Sequence, residues 1–327
     1  MSVNPESEIG NPNPEFRSPL IIIQGPTAVG KSILANKLAS ELHTDIISAD
    51  SRQVYKYLNI GTAKPSKEIQ NKIKHHLIDI VFPDEEYSAG DFIKDSEKLI
   101  NKYSKNKIPL IVGGTGFYIK TLLEGIFRAP SIPREIRKKL IQISEEKGSD
   151  YLYKYLKEKD PCSAERTNPN DVHRIIRALE VYVATGKTIT QLWQENPSDK
   201  KKYKTYNILI TENREILYNR INQRVDDMIE NGLLNEMEVL LKKGYNENSP
   251  GMNTVGYKEL FPYFEEKRKL EECLQEIKKH TRNYAKRQFT WYRKIDFDLT
   301  LQTSNINFSI ILNKIREFIE SDNRETK

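Results

Sequence analysis

The sequence predicts an α/β protein in which helices cover both faces of a parallel sheet. Short apolar segments alternate with helical patterns, as is typical of such sheets. A glycine-rich loop, GPTAVGKS, joins the first apolar segment to the first helical pattern. A long strand-free interval separates the fourth apolar segment from the fifth. We therefore expect a P-loop parallel-sheet core with a helical insertion domain.

Five segments have the length and composition of buried strands. The clearest is the continuous apolar run LIIIQ, which ends at Gly25. Strands buried on both faces lack the alternation of half-exposed ones. A helical pattern from Lys31 to Leu42 follows this run. The predicted strands are 20–24, 45–50, 76–81, 108–114 and 205–211.

Composition divides the chain into a core, an insertion and two tails. Residues 129–204 show no convincing strand and are rich in Lys, Glu and Tyr, so we expect a helical insertion domain there. The core then comprises residues 19–128 and 205–318. Residues 1–18, rich in Pro, Asn, Ser and Glu, predict a disordered tail to which we assign no role. Residues 319–327 predict a frayed C-terminus.

Charge, hydropathy and cysteine content indicate which classes of protein the sequence could belong to. The 327 residues carry a net charge of +6, which permits a polyanionic partner without requiring one. No stretch approaches the roughly 18–20 apolar residues of a membrane span. The N-terminus lacks the basic and apolar regions of a secretory signal, so we expect a cytoplasmic protein. Cys162 and Cys273 lie far apart, with no Cys or His beside them at metal-ligand spacing, so neither a disulfide framework nor a zinc site is expected.

The glycine-rich loop, Gly25 to Ser32, matches the pattern G-x-x-x-x-G-K-[ST] in full. Its glycines let backbone N–H groups surround an anion, and the following helix adds the positive end of its dipole. Lys31 can reach the outer phosphate, and the Ser32 hydroxyl can bind Mg²⁺. A chance match on a strand-to-helix turn is the alternative, but the context favours a diphosphate or triphosphate site. The loop alone does not determine the reaction.

Polar side chains follow two further strands. Asp50 lies just past the second predicted strand, at the sheet edge where open α/β proteins bind ligands. It could act as a general base or bind Mg²⁺ through water, or be a turn residue. Ser51, Arg52 and Gln53 follow it directly. The fourth strand ends on two glycines and Thr115 rather than on a Walker B acid, which counts against a hydrolytic motor.

Arginines in two predicted helices allow both a functional and an ordinary interpretation. Arg220 and Arg224 are spaced i, i+4, so both could face phosphates, or both could lie on a solvated face. The sequence does not decide which of them contacts a diphosphate. In NPNDVHRIIRALE, Asp171 suits a helix N-cap, and Arg174 and Arg177 lie one turn apart. That segment is as easily a surface of the insertion as a binding site.

A basic helix is predicted at residues 281–294, TRNYAKRQFTWYRK. Arg282, Lys286 and Arg293 fall within about 40° of one another on a helix, and no Asp or Glu interrupts the segment. Cations beside aromatic residues such as Trp291 suit a phosphate backbone and unstacked bases. Nucleic-acid contact therefore outweighs a merely solvated face.

The sequence resembles the tRNA dimethylallyltransferases, or IPP transferases, from about residue 20 to residue 294. The segments that carry the resemblance are GPTAVGKS, SADSRQVYKYLNIGTAKP, HHLIDIVFPDEEYSAGDF, GGTGFYIKTLL, NPNDVHRIIRALEVYVATGK, GMNTVGYKEL and TRNYAKRQFTWYR. Their combination is specific, whereas the P-loop alone is shared with unrelated enzymes. The C-terminal zinc finger of some members is lacking here.

The resemblance implies transfer of a dimethylallyl group from dimethylallyl diphosphate to N6 of adenosine 37. That adenosine lies in the anticodon stem-loop of tRNA, the expected partner, and diphosphate is released. Mg²⁺ is the implied cofactor, with Ser32 as its protein ligand. P-loop proteins commonly bind ATP or another nucleotide, but we interpret this loop as the binding site for the donor's diphosphate. We expect the enzyme to be a monomer.

The resemblance also implies roles for individual residues. Asp50 is the base that takes a proton from N6, and Thr115 and Arg224 complete the catalytic group around the departing diphosphate. The diphosphate-binding residues are Gly25, Pro26, Thr27, Ala28, Val29, Gly30, Lys31 and Ser32. The tRNA-binding residues are Asp50, Ser51, Arg52, Gln53, Thr115, His173, Arg174, Ile175, Ile176, Arg177, Arg282, Lys286, Arg287 and Gln288.

Three other functions are alternatives. An adenylate isopentenyltransferase would prenylate free nucleotides, and a P-loop small-molecule kinase would transfer the γ-phosphate of ATP. A non-catalytic RNA-binding module would tolerate Asp50→Asn and Lys31→Ala. The acid-free basic helix favours an RNA acceptor over the first two.

Overall fold

The chain forms two compact units in the computed structural model. The first, which we call the core unit, comprises Met1–Leu123 and Lys202–Lys327, and the second, the helical unit, comprises Glu124–Lys201. The predicted insertion, residues 129–204, overlaps the helical unit. The structure describes residues 18–103, 107–125, 132–195 and 203–325.

The core unit is built on a six-stranded parallel sheet with the strand order β3-β2-β4-β1-β5-β6. The predicted α/β class is therefore confirmed. The central strand β1 is fully buried at Ile21, Ile22 and Ile23, which explains its continuous apolar run. The strands are β1 Ser18–Gln24, β2 Ile46–Ser48, β3 His75–His76, β4 Leu110–Gly113, β5 Tyr203–Thr211 and β6 Leu299–Gln302.

Helices fill the rest of both units, and none of the described ones is long and apolar enough to cross a membrane. Those of the core unit are α1 Lys31–Glu41, α2 Lys67–Lys72, α3 Ala89–Tyr103, α4 Gly116–Glu124, α10 Arg214–Glu230, α11 Leu233–Lys242, α12 Phe261–Phe264, α13 Leu270–Tyr292 and α14 Phe308–Glu325. Those of the helical unit are α5 Arg134–Lys147, α6 Ser149–Lys159, α7 Pro161–Arg166, α8 Val172–Thr185 and α9 Ile189–Glu195.

One predicted strand is shorter than expected, and one strand was not predicted. The predicted strand 76–81 stops at His76, because Leu77 (φ 61°) and Asp79 (φ 57°) adopt left-handed backbone conformations that a strand does not allow. The edge strand β6 was not predicted. Its signal is the short alternation of Leu299 and Leu301 with exposed residues, which four residues of sequence present only weakly.

The chain ends differ from the predicted tails in one respect. The predicted disordered tail, residues 1–18, lies outside the described residues apart from Ser18, which begins β1. Helix α14 continues to Glu325, through most of the segment 319–327 that we expected to be frayed. Ile319 packs against the core cluster around β1, so the helix gains apolar contacts beyond its first turns.

A half-buried ion-pair cluster at the amino end of the sheet predicts acid-sensitive stability. Asp45 accepts hydrogen bonds from His76 (2.9 Å) and Lys107 (2.9 Å). Burial alone would raise the pKa of Asp45, but these two hydrogen bonds outweigh it and lower the pKa. A carboxyl with a lowered folded-state pKa stabilises the fold above its unfolded pKa, about 3.9, and loses this stabilisation as the pH falls through the folded value.

We therefore expect Asp45→Asn to lower the free energy of unfolding at neutral pH by about 1–3 kcal/mol. The difference from wild type should shrink as the pH falls below about 4, from the unfolded-state pKa towards the lowered folded-state pKa. Urea unfolding across this pH range measures both effects. The exposed Asp84→Asn is the control, and an equal loss in that variant would contradict the assignment.

Candidate active site

The P-loop connects β1 to α1 and requires glycine at two positions. A β-carbon at Gly25 would overlap the backbone carbonyl of Ile210 in β5. Gly30 caps α1 with a φ of 95°, in the left-handed region. The Lys31 ammonium group donates to the carbonyl oxygens of Gly25 (2.9 Å) and Pro26 (2.8 Å). The loop thus holds a cation at a helix N-terminus, where the helix dipole also favours an anion.

A cavity of about 670 Å³ lies where the loops after β1, β2 and β4 meet, and the described residues that line it belong to the core unit. These loops contribute Lys31, Asp50 and Gly114, and helices α10 and α13 contribute further walls. This is the carboxyl edge of the sheet, where α/β proteins bind ligands. The predicted site residues that line it are Thr27, Ala28, Gly30, Lys31, Ser32, Asp50, Ser51, Arg52, Gln53, Arg224, Arg287 and Gln288.

The cavity contains two half-buried cations near one carboxylate. Burial lowers the pKa of Lys31 to about 8; the attraction of Asp50 opposes this shift and the repulsion of Arg224 adds to it. Burial also lowers the pKa of Arg224, against the opposing effect of Asp50. Burial thus disfavours the protonated form of both groups. A bound anion would offset this effect, because an opposite charge favours the protonated form. The electrostatics therefore indicate an anion site beside Asp50.

The structure distinguishes the two arginines of α10. Arg220 lines the cavity, but its guanidinium donates to Glu212 at 3.3 Å, and the Glu212 side chain is buried. Its charge is therefore already neutralised. Arg224, one turn later, faces Lys31 and Asp50 instead. We infer that Arg224 rather than Arg220 is the cation for a bound diphosphate.

Asp50 is fixed by its own loop. Its Oδ1 atom accepts the backbone N–H groups of Arg52 (2.8 Å) and Gln53 (3.4 Å). Among the hydrogen bonds of the described residues, both bonds to Asp50 involve this oxygen, so Oδ2 is available for a proton. Thr115 does not line the cavity but fixes the same loop, since its hydroxyl accepts the Ser51 N–H at 3.0 Å. The carboxylate is therefore held in a defined orientation at the cavity wall.

Tyr284 is a cavity residue whose role the sequence did not indicate. It lies on α13, within the segment 281–294 that the sequence predicted as a basic helix. Burial and the nearby Asp50 carboxylate raise its pKa to about 12, although a hydrogen bond with Thr115 opposes the shift. Tyr284 is therefore a neutral hydroxyl at physiological pH, next to the carboxylate.

The sequence profile of the IPP transferase family matches residues 53–295. The chain belongs to this family. It is 41% identical over 304 residues to tRNA dimethylallyltransferase 1 of Syntrophotalea carbinolica, covering 93% of this chain and 96% of that protein. It is 47% identical over 283 residues to a tRNA dimethylallyltransferase of a Thermoanaerobacter species, covering 85% and 90%.

Solved structures agree with the family assignment. The tRNA Δ2-isopentenylpyrophosphate transferase of Staphylococcus epidermidis matches with a TM-score of 0.67 and 36% identity, covering 93% of this chain and 100% of that one. A eukaryotic dimethylallyltransferase, described as acting on tRNA, matches with a TM-score of 0.74 and 33% identity, covering 88% and 74%. As an IPP transferase, the chain is a prenyltransferase enzyme.

Two loops that line the cavity carry the family segments NIGTAKP and GMNTVGYKEL, to which the sequence assigned no site residue. They contribute Gly61 to Ala63 and Asn253 to Gly256. The carboxylate of Glu236 orders the first loop by accepting the N–H groups of residues 59–61 and the Tyr257 hydroxyl (2.5 Å). Tyr257 is fully buried, and only a glycine at position 61 leaves room for its ring. The glycines in both segments were the available signal.

The polar residues of the predicted basic helix, which lies within α13, have different surroundings. The Arg282 guanidinium donates to Asn222 of α10 at 2.6 Å and does not line the cavity. Lys286 is exposed away from the cavity, whereas the exposed Arg287 also lines it. Gln288 is buried between the P-loop and β4. The residues of α13 that were predicted to bind tRNA therefore do not form one continuous surface.

The predicted tRNA-binding segment of the helical unit lies in α8. Ile175 and Ile176 are buried in that unit's own core, so their side chains do not present a surface to RNA. His173, Arg174 and Arg177 are exposed. The predicted contact of this segment with tRNA therefore depends on these three residues, of which Arg174 pairs with Asp171 and Arg177 with Glu180.

Proposed function

We propose that the enzyme transfers a dimethylallyl group from dimethylallyl diphosphate to N6 of adenosine 37 in tRNA. The observation that carries this proposal is the placement of Lys31 and Arg224 beside Asp50 in one cavity of the core unit. The two cations suit a departing diphosphate, and the carboxylate suits a nucleophile that must lose a proton. The relatives named above support tRNA as the acceptor.

The proposed reaction is a substitution at the allylic carbon. The N6 lone pair forms a bond to C1 of the dimethylallyl group, and the C1–O bond breaks, with its electron pair leaving on diphosphate. N6 then loses one proton, which the Asp50 carboxylate accepts. An exocyclic amine of adenine is a poor nucleophile, so the reaction depends on stabilising the leaving group and on removing this proton.

The P-loop and α10 stabilise the leaving group. Charge accumulates on the diphosphate as the C1–O bond breaks, and we propose that Lys31 and Arg224, which line the cavity, stabilise this charge. The backbone N–H groups at the start of α1 add further donors. Groups held in place before the reaction need not reorganise during it, so their electrostatic effect lowers the barrier.

The residues at the P-loop suit the implied Mg²⁺. Ser32 presents an exposed hydroxyl at the cavity wall directly after Lys31, and the phosphate oxygens of a bound donor would supply further hard ligands. When bound, the ion would neutralise charge on the diphosphate. Asp50 and Arg224 keep their roles as base and as diphosphate cation.

The acceptor must leave its base stack to enter the cavity. An adenine stacked inside an anticodon loop cannot reach a carboxylate at the cavity wall unless it is flipped outward. Polar side chains from the loop after β2 and from α13 line the cavity and could recognise such a base. We propose Arg52 and Arg287 as contacts to the RNA. We also propose that the enzyme works as a cytoplasmic monomer.

The assay of transfer is direct. The protein is incubated with dimethylallyl diphosphate, Mg²⁺ and unmodified tRNA, and the nucleosides are analysed by mass. Prenylated adenosine in tRNA is the expected product. Preferential prenylation of AMP would identify an adenylate isopentenyltransferase instead, and label transferred from γ-labelled ATP would identify a kinase.

We expect donor affinity to fall as the pH rises through about 8, the pKa of Lys31. Protonated Lys31 binds the diphosphate, so affinity is full below this pKa and is lost above it, by about tenfold between pH 7 and 9. Calorimetric titration with an unreactive dimethylallyl thiodiphosphate measures the effect. Lys31→Arg should bind independently of pH over this range, because arginine stays protonated. A wild-type affinity that does not change would refute the role of Lys31.

A further inference from the structure

Helix α13 carries two buried polar side chains that reach the P-loop from more than 250 residues away, Gln288 and Tyr292. They are 6% and 4% exposed. At a spacing of four residues they lie on the same face of the helix. A buried polar side chain requires hydrogen-bond partners, and both of these find theirs in the same two loops.

Gln288 joins the P-loop to the end of β4. Its Oε1 atom accepts the backbone N–H of Thr27 at 2.9 Å, and its Nε2 atom donates to the carbonyl of Gly114 at 2.8 Å. A β-carbon at position 114 would lie 2.6 Å from Nε2, so glycine is needed for this approach. That β-carbon would also lie 3.7 Å from Lys31 Nζ, which places the bridge directly beside the diphosphate cation.

Tyr292 makes a second bridge between the same loops. Its hydroxyl accepts the N–H of Gly25 at 3.3 Å and lies 3.1 Å from the carbonyl of Gly25 and 3.4 Å from that of Gly114. It therefore donates to one of these carbonyls. Gly25 is also one of the two residues whose carbonyl holds the Lys31 ammonium group.

We propose that Gln288 and Tyr292 are positioning residues of the donor site. They hold the P-loop in the conformation that receives the diphosphate, and they fix it to the helix that presents Lys286 and Arg287. This inference rests on the proposed function. It assigns Gln288 to the donor side of the reaction rather than to the tRNA contact that the resemblance implied.

The test separates donor affinity from RNA affinity. Gln288→Met keeps the length of the side chain and removes both hydrogen bonds, and Lys286→Met is its matched control on the exposed side of the same helix. Binding of dimethylallyl thiodiphosphate is measured by calorimetry without RNA. Binding of an unmodified tRNA anticodon stem-loop is measured by fluorescence anisotropy without donor.

We expect Gln288→Met to weaken donor binding by about tenfold and to change RNA binding by less than about threefold. Lys286→Met should show the reverse, with weakened RNA binding and wild-type donor binding. Weakened RNA binding with unchanged donor binding in Gln288→Met would overturn the proposal. A loss of packing alone would lower the thermal midpoint without this division between the two ligands.

Tyr292→Phe is the second variant, since it removes a single oxygen atom. We expect it to weaken donor binding by about threefold or more and to leave RNA binding unchanged. If Gln288→Met does not fold, this variant decides, and donor binding equal to wild type overturns the proposal. The proposed function fails separately: wild-type protein that binds the donor analogue but does not prenylate tRNA contradicts it and leaves the positioning test intact.

Discussion

Asp50→Asn is expected to lower the rate of prenyl transfer by about 10²–10⁴-fold while tRNA remains bound. Asparagine keeps the Oδ1 atom that accepts the N–H groups of Arg52 and Gln53, so the loop should retain its structure. It cannot accept the proton that N6 must lose. The loss should therefore fall on the chemical step and not on the binding of either substrate.

Single-turnover rates with saturating enzyme isolate this chemical step. The anticodon stem-loop and the donor analogue should bind Asp50→Asn within about threefold of wild type. The exposed Asp84→Asn serves as the control for loss of a carboxylate elsewhere in the core unit. A single-turnover rate within tenfold of wild type would show that Asp50 is not the base.

Arg224→Gln is expected to reduce kcat/KM for dimethylallyl diphosphate by about 10²–10³-fold, the second of the two largest effects. The half-buried guanidinium interacts electrostatically with Lys31 and Asp50, and its charge lacks a full counterion until a diphosphate is bound. The substitution removes charge stabilisation from the leaving group as the C1–O bond breaks. Both kcat and donor affinity should therefore fall.

Arg220→Gln is the matched control, on the same helix and one turn away. Its partner Glu212 neutralises Arg220 within the protein, so donor affinity should stay within about threefold of wild type. The thermal midpoint should fall instead, because the buried carboxylate of Glu212 loses its ion pair. A larger loss of donor affinity in Arg220→Gln than in Arg224→Gln would reverse the assignment.

The regular elements of the core could be predicted wherever local pattern and tertiary environment agree. LIIIQ reads as a buried strand and is one, since β1 is covered on both faces. The segment after His76 has an equally apolar pattern, yet left-handed residues turn it away from the sheet. Strand β6 offers only four residues, and pairing with β5 rather than its own propensity forms it.

The candidate site could be predicted in the same uneven way. Gly25 to Ser32 form a contiguous motif, so their phosphate-binding role can be predicted from one segment. The burial of Ile175 and Ile176 could not be predicted in this way. A family resemblance assigns a role to a whole segment and does not separate its exposed residues from its buried ones. The glycines of the loop that Glu236 and Tyr257 order gave a local signal, but the hydrogen bond between those two side chains did not.

The sequence by itself determined the fold class, the P-loop and the family to which the chain belongs, because each depends on residue order within short segments. Tertiary structure alone shows that Arg220 of α10 is paired with Glu212, which lies outside that helix, and this pairing is why we propose Arg224 for the diphosphate. It also decided that Gln288 faces the P-loop while Lys286, two residues earlier, faces solvent. Hydrogen bonds and ion pairs between distant segments have no local pattern, so only the folded chain reveals them.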